Sequence, residues 1–504
     1  MNIVSKKVAA IMVAATLGVT TIPFAVLNVQ AAQVPSNAGV SASSSKLSDI
    51  EVQKAVEALT GLGVLHGYID HTMGVNNQIN RAELAKMVVL TFKLQGTVEK
   101  DIQFTDVNSN AWYYKYASEL VGLGIMETKD GNFNPKESVT GAELVQVVSK
   151  ALKRDMLSVN YWAKSFNSSI ESASRGAVTS LLNTARKAIP SDQTKIISVQ
   201  SINETTLIVT MDAPMTAENE VFAKAKEDFM FNDGLTLTNM PRLKSGSLAT
   251  YIVPTSVQQA GTPYNLTYNG KKSGSFVGNA TKVDMTTTNQ VTNDTFEIEA
   301  LKANGVIDYG YVISAYSGGR GANAFVLDEN NRANGIAYQI ISSMQGRQVT
   351  ITPAGGESII AKYVPFTQST DGKMEPKFRL PERQVLKPGV KYTVSSDWAK
   401  IANPTFVAKE IMPLQLSDAE AVSNTSINVT LAQDPGDELF SGRSVELIAP
   451  NGDKLVATYK FSSRKGAVGT FDIINNGTMA AGTMYSVSPM DAWATASQVT
   501  LTTH

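Results

Sequence analysis

The segment "INRAELAKMVV" at residues 79–89 returns 60 residues later as "VTGAELVQVVS" at 139–149. A chain that repeats a phrase at this period builds its first third from stacked copies of one unit, because a single copy cannot bury its own apolar face. Leu84, Met87, Val88, Thr91 and Phe92 fall on Leu144, Val147, Val148, Ala151 and Leu152, and this spacing is one face of an α-helix. Asn80 and Thr140 are good N-cap residues. Glu83 and Glu143 stand three positions on, where a carboxylate reaches back to the cap's N–H. Both glutamates are therefore expected to close capping boxes. The first helical position is Arg81 in one copy and Gly141 in the other. Capping does not call for arginine there, so Arg81 is expected to point outward and to be the functional residue of the pair.

The match extends upstream. "AVEALTGLGVLHGYID" (55–70) faces "YASELVGLGIMETKDG" (116–131), each an amphipathic helix stopped by Gly63 or Gly124. "LSDI" (47–50) and "FTDV" (104–107) precede those helices, and "DGNFNPKES" (130–138) is turn chemistry. Each repeat reads helix, turn, helix. The second carries Phe104, Asp106, Trp112, Gly124, Asp130, Gly131, Phe133, Pro135 and Glu143; the first carries Gly63, Val64, Gly67, Tyr68, Asp70, Arg81, Ala82 and Glu83. This set resembles the S-layer homology (SLH) domain, with its FxDV-like opening, following Trp, Gly-Tyr-x-Asp-Gly turn and TRAE-like helix start.

The resemblance implies repeats in threes closing into a pseudo-threefold helical bundle. A shortened third copy is read at 158–190, after copies at about 47–96 and 104–153: Trp162 is followed by "SRGAVTSLL", with Ser174 as cap and Arg175 in the place of Arg81. The turn segment is missing, and an unrelated linker helix is the rival reading. The resemblance further implies an anchoring region, here 32–190, that binds an anionic secondary cell-wall polysaccharide in grooves between repeats. Carried over residue by residue, the polymer contacts would be Arg81 and Arg175, with Trp112, Trp162, Asp70 and Asp130 on the same motifs. A guanidinium at a helix N-terminus suits an anion. Gly141 departs from the motif, so its groove is expected to be silent or weak. Trp112 and Trp162 could stack on sugar rings, although burial as core anchors is the plainer expectation for tryptophan.

Lys6 and Lys7, an apolar stretch from Val8 to Leu27 and "VQA" at 29–31 form a secretory leader over 1–31, the rival being an uncleaved membrane anchor. Cleavage would change the formal charge from −1 to −3. With 44 basic and 45 acidic residues, nothing in the charge balance points to nucleic acid or to a membrane surface after cleavage. A secreted chain without cysteine must be held by its cores alone, a habit that fits a Gram-positive surface.

From about residue 193 the period changes to two. "TTLIVTM" (205–211), "DTFEIEA" (294–300) and "TSINVTL" (425–431) alternate apolar and polar residues after Asn203, Asn293 and Asn424. "GTPYNLT" (261–267), "GVKYTVS" (389–395) and "GTMYSVS" (482–488) share Gly-x-x-Tyr-x-[Leu/Val]-[Ser/Thr]. The fold class expected is an all-α anchor bundle followed by three all-β immunoglobulin-like sandwiches at 193–280, 281–410 and 411–504. The middle one carries an insertion between 314 and 385 that includes the loop "SGGRGAN" (317–323).

Asp434, Asp437 and Glu438 cluster in "DPGDEL". They would suit calcium in assembly, although a solvated turn is the simpler reading. His66, His71 and His504 lack zinc-ligand spacing, and no nucleophile motif or acid pair stands out. The expected role is a non-enzymatic structural protein: the bundle grips the wall polymer and the sandwiches assemble with other copies into a layer. The alternative is an anchored adhesin or glycan-binding protein that uses the insertion, and an anchored hydrolase is the weakest reading.

Overall fold

The structure is a computed structural model, described over residues 49–94, 102–163, 172–300, 306–308, 326–365, 375–435 and 439–503. The leader (1–31), the glycine-rich loop (317–323), Asp437 and Glu438 lie outside the described residues. No helix among the described residues is long and apolar enough to cross a membrane.

The first third holds α1 (Asp49–Gly61), α2 (Arg81–Phe92), α3 (Tyr114–Gly122), α4 (Gly141–Leu152), α5 (Met156–Ala163) and α6 (Arg175–Ala185). Helices pair across repeats: α2 packs on α3, α4 on α5, and α6 returns to α1. Leu59, Leu84, Val88, Leu120, Leu144, Val148 and Leu182 fill one shared core, which is why the 3-1-3-1 apolar spacing recurs. Gly63 and Gly124 end α1 and α3 at φ +70° and +68°, a conformation that a Cβ would strain. The segments leading into α2, α4 and α6 close a ring of backbone hydrogen bonds. Ile79 N–H donates to Ala173 (3.1 Å), Ala173 N–H to Val139 (2.7 Å), and Val139 N–H to Ile79 (3.0 Å). The start of α6 thus takes the third place in the ring.

The first β-unit has two facing sheets, made from β1 (Ile196–Asn203), β2 (Thr206–Met211), β3 (Phe229–Phe231), β4 (Arg242–Leu243), β5 (Thr250–Pro254), β6 (Pro263–Tyr268) and β7 (Lys271–Val277), with α7 (Phe222–Asp228) before β3. Their orders are β1-β2-β5-β4 and β3-β6-β7. Leu207, Val209, Tyr251 and Leu266 lie in the core between them.

The middle unit contains β8 (Val283–Gln290), β9 (Thr295–Ala300), β10 (Val306–Asp308), β11 (Arg332–Ala333), β12 (Ile336–Ala337), β13 (Gln339–Ile341), β14 (Gln348–Pro353), β15 (Ile359–Tyr363), β16 (Lys377–Arg379), β17 (Lys391–Ser395), β18 (Ala399–Asn403) and β19 (Thr405–Val407). The last contains β20 (Leu414–Ser423), β21 (Ser426–Leu431), β22 (Ser444–Ile448), β23 (Lys454–Tyr459), β24 (Val468–Ile473), β25 (Met484–Pro489), β26 (Ala494–Ala496) and β27 (Thr500–Thr502). In place of two separate sheets, each forms one eight-stranded ladder of the same order, β18-β8-β9-β16-β15-β14-β17-β19 and β26-β20-β21-β24-β23-β22-β25-β27. The two ends of each ladder are consecutive in the chain, so the ladder curls back on itself. In the middle unit the change of partner falls at Pro404, which has no N–H to continue a ladder.

The repeated Gly-x-x-Tyr has one structural cause in all three units. The tyrosine hydroxyl accepts the N–H five residues upstream: Gln259 to Tyr264, Lys387 to Tyr392, and Ala480 to Tyr485, at 2.9–3.0 Å. Gly261, Gly389 and Gly482 turn the chain into that corner at positive φ. The loop before the tyrosine is also tied to the tip of the first hairpin, by Gln258 N–H to Glu204, Leu386 N–H to Asn293 and Met479 N–H to Asn424. The counterpart of Asn293 and Asn424 is therefore Glu204, one residue beyond the expected Asn203.

The insertion also differs from expectation. It lies between β9 and β14, and residues 348–353, 359–363 and 377–379, placed inside it from the sequence, are strands of the eight-stranded ladder. Its described part docks on the first unit. Leu327 and Ile340 bury against Ile252, at about 1.5–3 kcal/mol for a fully buried aliphatic side chain. Asn203 Nδ2 and Thr206 Oγ1 both donate to Ile340 O.

One carboxyl makes the first unit sensitive to pH. Burial pushes Glu220 up to about 7, although it accepts the Tyr251 hydroxyl at 3.0 Å. The folded state therefore holds a proton that the unfolded chain releases near its ordinary value of 4.5. Stability is full below that value and falls as pH rises through 7. Glu220→Gln is expected to stabilise the protein by about 3 kcal/mol at pH 8 and by little at pH 4, read from urea unfolding at the two pH values.

Candidate functional site

The TRAE-like positions sit at the junctions between repeats, and their arginines do not point outward. Arg81 Nε donates to Phe133 O (2.8 Å), Nη2 to Glu127 O (2.8 Å) and Nη1 to Glu143, while its guanidinium stacks over the Phe133 ring at 5.0 Å. Arg175 repeats this geometry on the first repeat: Nε to Met73 O (3.1 Å), Nη2 to His66 O (2.7 Å), Nη1 to Glu83 (3.3 Å), and the plane over Tyr68 at 5.0 Å. The two side chains are 11% and 9% exposed. Burial lowers the Arg81 pKa from its ordinary value, opposed by the charges of Glu137 and Asp106.

Each arginine therefore staples one repeat's helix start to another repeat's turn, the third to the first and the first to the second. A third staple would run from position 141 to the third repeat's turn. Between α5 and α6 the chain has 11 residues, against 18 between α3 and α4, and the sequence there lacks the turn that would supply the carbonyls. From its sequence, this shorter segment is expected to offer no turn to an arginine at position 141; residues 164–171 lie outside the described residues.

Glu143 is corrected as well. Asn80 and Glu83 form the expected capping box. Thr140 accepts Glu143 N–H at 3.1 Å, but the Glu143 carboxylate goes to Arg81. Glu83 does both, with one oxygen on the Asn80 N–H and the other on Arg175.

The two tryptophans part ways. Trp112 is 55% exposed, with Tyr113 edge-on at 5.2 Å and the Lys86 ammonium 6.0 Å from its ring. The aromatic cluster of this repeat is made instead by Phe104, Tyr114 and Phe133. Trp162 is half-buried at the junction with the first β-unit. Its indole N–H donates to Gly246 O (2.8 Å), and Gly246 N–H donates to Ser158 Oγ (2.8 Å). A Cβ on Gly246 would run into Val326 and Tyr161.

Asp70 is exposed and accepts Thr72 N–H and Oγ1–H, which hold its carboxyl below its ordinary value. Asp130 is exposed in a left-handed turn at φ +52°. Neither meets an arginine. Asp106, a motif residue not singled out as a site, accepts the Phe133 and Asn134 N–H groups at 2.8 and 2.7 Å and so orders the turn that Arg81 grips. Asp434 pairs with Arg464 at 2.9 Å.

The S-layer homology domain model matches residues 47–85 and 103–145, the two segments that carry this helix-start and turn geometry. The chain carries S-layer homology domains. Among curated proteins, this SLH-bearing chain is similar to the middle cell wall protein of Brevibacillus brevis, 26% identical over 295 residues, covering 55% of this chain and 26% of that protein. The surface layer protein of Brevibacillus choshinensis is 29% identical over 153 residues, 30% of this chain and 13% of that one. An endo-1,4-beta-xylanase of Thermoanaerobacterium saccharolyticum is 28% identical over 92 residues, 18% of this chain and 8% of that enzyme. The match thus spans about a quarter or less of each relative's length. The SLH domains and these relatives make this a secreted protein of the cell-wall surface.

Proposed function

We propose that the protein is a structural surface-layer component, held non-covalently on a secondary cell-wall polysaccharide by its SLH bundle, with the β-units assembling laterally into a lattice. The observation that carries this reading is continuity. A closed helical ring is joined through Trp162, Gly246 and Ser158 to the first β-unit, and that unit is joined in turn to the middle one. Such a chain transmits position from the wall to the layer. An immunoglobulin-like relation of the β-units is part of the proposal and is supported by the tyrosine corner they share.

The polymer would lie along the grooves between repeats. Arg81 and Arg175 would shape the groove walls, and exposed Trp112 beside Lys86 would offer a sugar-stacking face with a cation for an anionic substituent. Asp70 and Asp130 would border the same turns, and Trp162 would contribute only through its free edge. The role is non-enzymatic in this proposal, and calcium would act, if at all, in lattice assembly. The adhesin reading is weaker, because the described part of the insertion is spent on the first β-unit.

The protein should co-sediment with Gram-positive wall sacculi, lose binding when the secondary polymer is stripped, and bind several-fold more weakly as Trp112→Ala. Equal binding to stripped sacculi would overturn the polymer reading. Absence of ordered sheets by electron microscopy under all ion conditions would overturn the lattice reading.

A further inference from the structure

The two junctions between β-units use one device. Met344-Gln345-Gly346-Arg347 and Phe440-Ser441-Gly442-Arg443 form the same turn. Its arginine N–H donates back to Met344 O or Phe440 O, and its glycine has φ +75° or +71°. The arginine carbonyl then accepts Tyr363 N–H or Tyr459 N–H, at 3.0 Å in both.

Each turn inserts into the first-hairpin end of the preceding unit. Arg347 Nη2 donates to Thr255 O (3.0 Å), and Ser342 Oγ donates to Thr205 O (2.8 Å). Arg443 makes a two-pronged pair with Asp294 at 2.6 and 2.7 Å, while Asn293 Nδ2 donates to Ala492 O at 2.8 Å. The receiving hairpin positions are buried: Thr205 is 2% and Asp294 6% exposed.

The last unit has the same end, at Ser423-Asn424-Thr425-Ser426, held to Met479 as its counterparts are held to Gln258 and Leu386. There Ser423, Asn424 and Thr425 are exposed, as are Val422 (55%) and Ile474 (41%). Strand register puts Asp472 opposite Ser426, the place that Arg379 takes opposite Thr295. The Asp472 side chain is 42% exposed, pairs with the exposed Lys460 at 3.5 Å and accepts the Ser426 hydroxyl. An acidic group in place of a basic one suits an incoming arginine, which would take over from the solvent-exposed Lys460 the carboxylate that stands in for the one lost where Thr425 replaces Asp294. A cavity of about 150 Å³ opens at this end of the unit, lined by Val422, Ser423, Asn424 and Met479 among others.

We propose that the Ser423–Ser426 end of the last β-unit is a docking face for a further β-unit of the same construction, whose bulky-residue–x–Gly–Arg turn inserts beside Thr425 and Asp472. This concerns the β-array alone and does not depend on wall binding.

The chain has no cysteine, so an engineered pair reports one contact. The probe is the full chain extended after residue 504 by a second copy of residues 408–503, with Asn424→Cys in the first copy and Ala492→Cys in the appended one. Asn293→Cys with Ala492→Cys in the unextended chain is the positive control. Limited proteolysis verifies that the appended unit is folded. The expected result is a disulfide in a yield near the control's, reduced at least tenfold by Arg443→Ala in the appended copy alone. A control that forms beside an extended pair that does not would overturn the proposal. So would a disulfide indifferent to the arginine, which would report only tethered proximity.

Discussion

Asp294→Ala is expected to cost roughly 3–5 kcal/mol, the usual scale for breaking a buried ion pair by removing one partner. Asp294 faces Arg443, both buried between the middle and last β-units, and the half-buried Arg379 lies near them. Arg379 spends one donor on Ser441 O at 2.8 Å, and burial followed by the like charge of Arg443 pushes its pKa down to about 9. Without the carboxylate, two guanidinium groups would share a site with no counter-ion. Trp493, 5.6 Å from the Arg443 guanidinium, gives the readout: its fluorescence transition should move to lower urea in Asp294→Ala. The double change Asp294→Ala with Arg443→Met should recover a good part of the loss, because it also removes a stranded charge.

The same pair sets an acid limit. Burial pushes the Asp294 carboxyl up, but the hydrogen bonds and charge of Arg443 outweigh it and hold the group at about 2. A depressed pKa contributes stability that is present above the ordinary 3.8 and lost as pH falls towards 2. The size is roughly 2 kcal/mol. Wild-type stability should fall over that window, and Asp294→Asn should be insensitive to it.

Arg81→Ala is the second large effect, at about 3 kcal/mol. It leaves the part-buried Phe133 carbonyl without a donor and the part-buried Glu143 carboxylate without its cation, at about 1–3 kcal/mol each, while water can replace the donor at the exposed Glu127 carbonyl. Arg175→Ala should cost a similar amount, and the two should add, since they serve different junctions. Lysine should rescue poorly, because a point-like ammonium cannot serve three acceptors in the plane of a fork. Gly141→Arg should not stabilise the protein. If it raised the melting temperature by several degrees, an acceptor for it would exist after all, and the account of the missing third staple would be wrong. Thermal unfolding of the four variants decides this, and it must precede any wall-binding comparison, since a loosened bundle would lose its groove without losing a ligand contact.

Much of this was legible because it is local. Asn80, Thr140 and Ser174 cap helices within three residues, and Gly63, Gly124 and the Gly-x-x-Tyr corners act within five. The alternation of Leu207 and Val209, of Phe296 and Ile298, and of Ile427 and Val429 is the pleat itself, with each of these residues fully buried. Such interactions depend on backbone geometry over a few residues, so residue type and spacing carry them.

The direction of Arg81 was not local. At the first helical position an arginine can face solvent or the next repeat, and only closing the ring brings Phe133, 52 residues away, under its guanidinium. The same holds for Arg443, whose carboxylate lies 149 residues upstream, and for Trp162, which finds its acceptor at Gly246. Trp112 shows the converse, an aromatic left 55% exposed while Phe104, Tyr114 and Phe133 pack together. Residue type and spacing alone set the helix starts, the corners and the strand faces. Which charged and aromatic groups became internal fasteners, and which stayed exposed, was settled by the closing of the fold, because a buried charge is kept only where distant carbonyls and counter-ions converge on it.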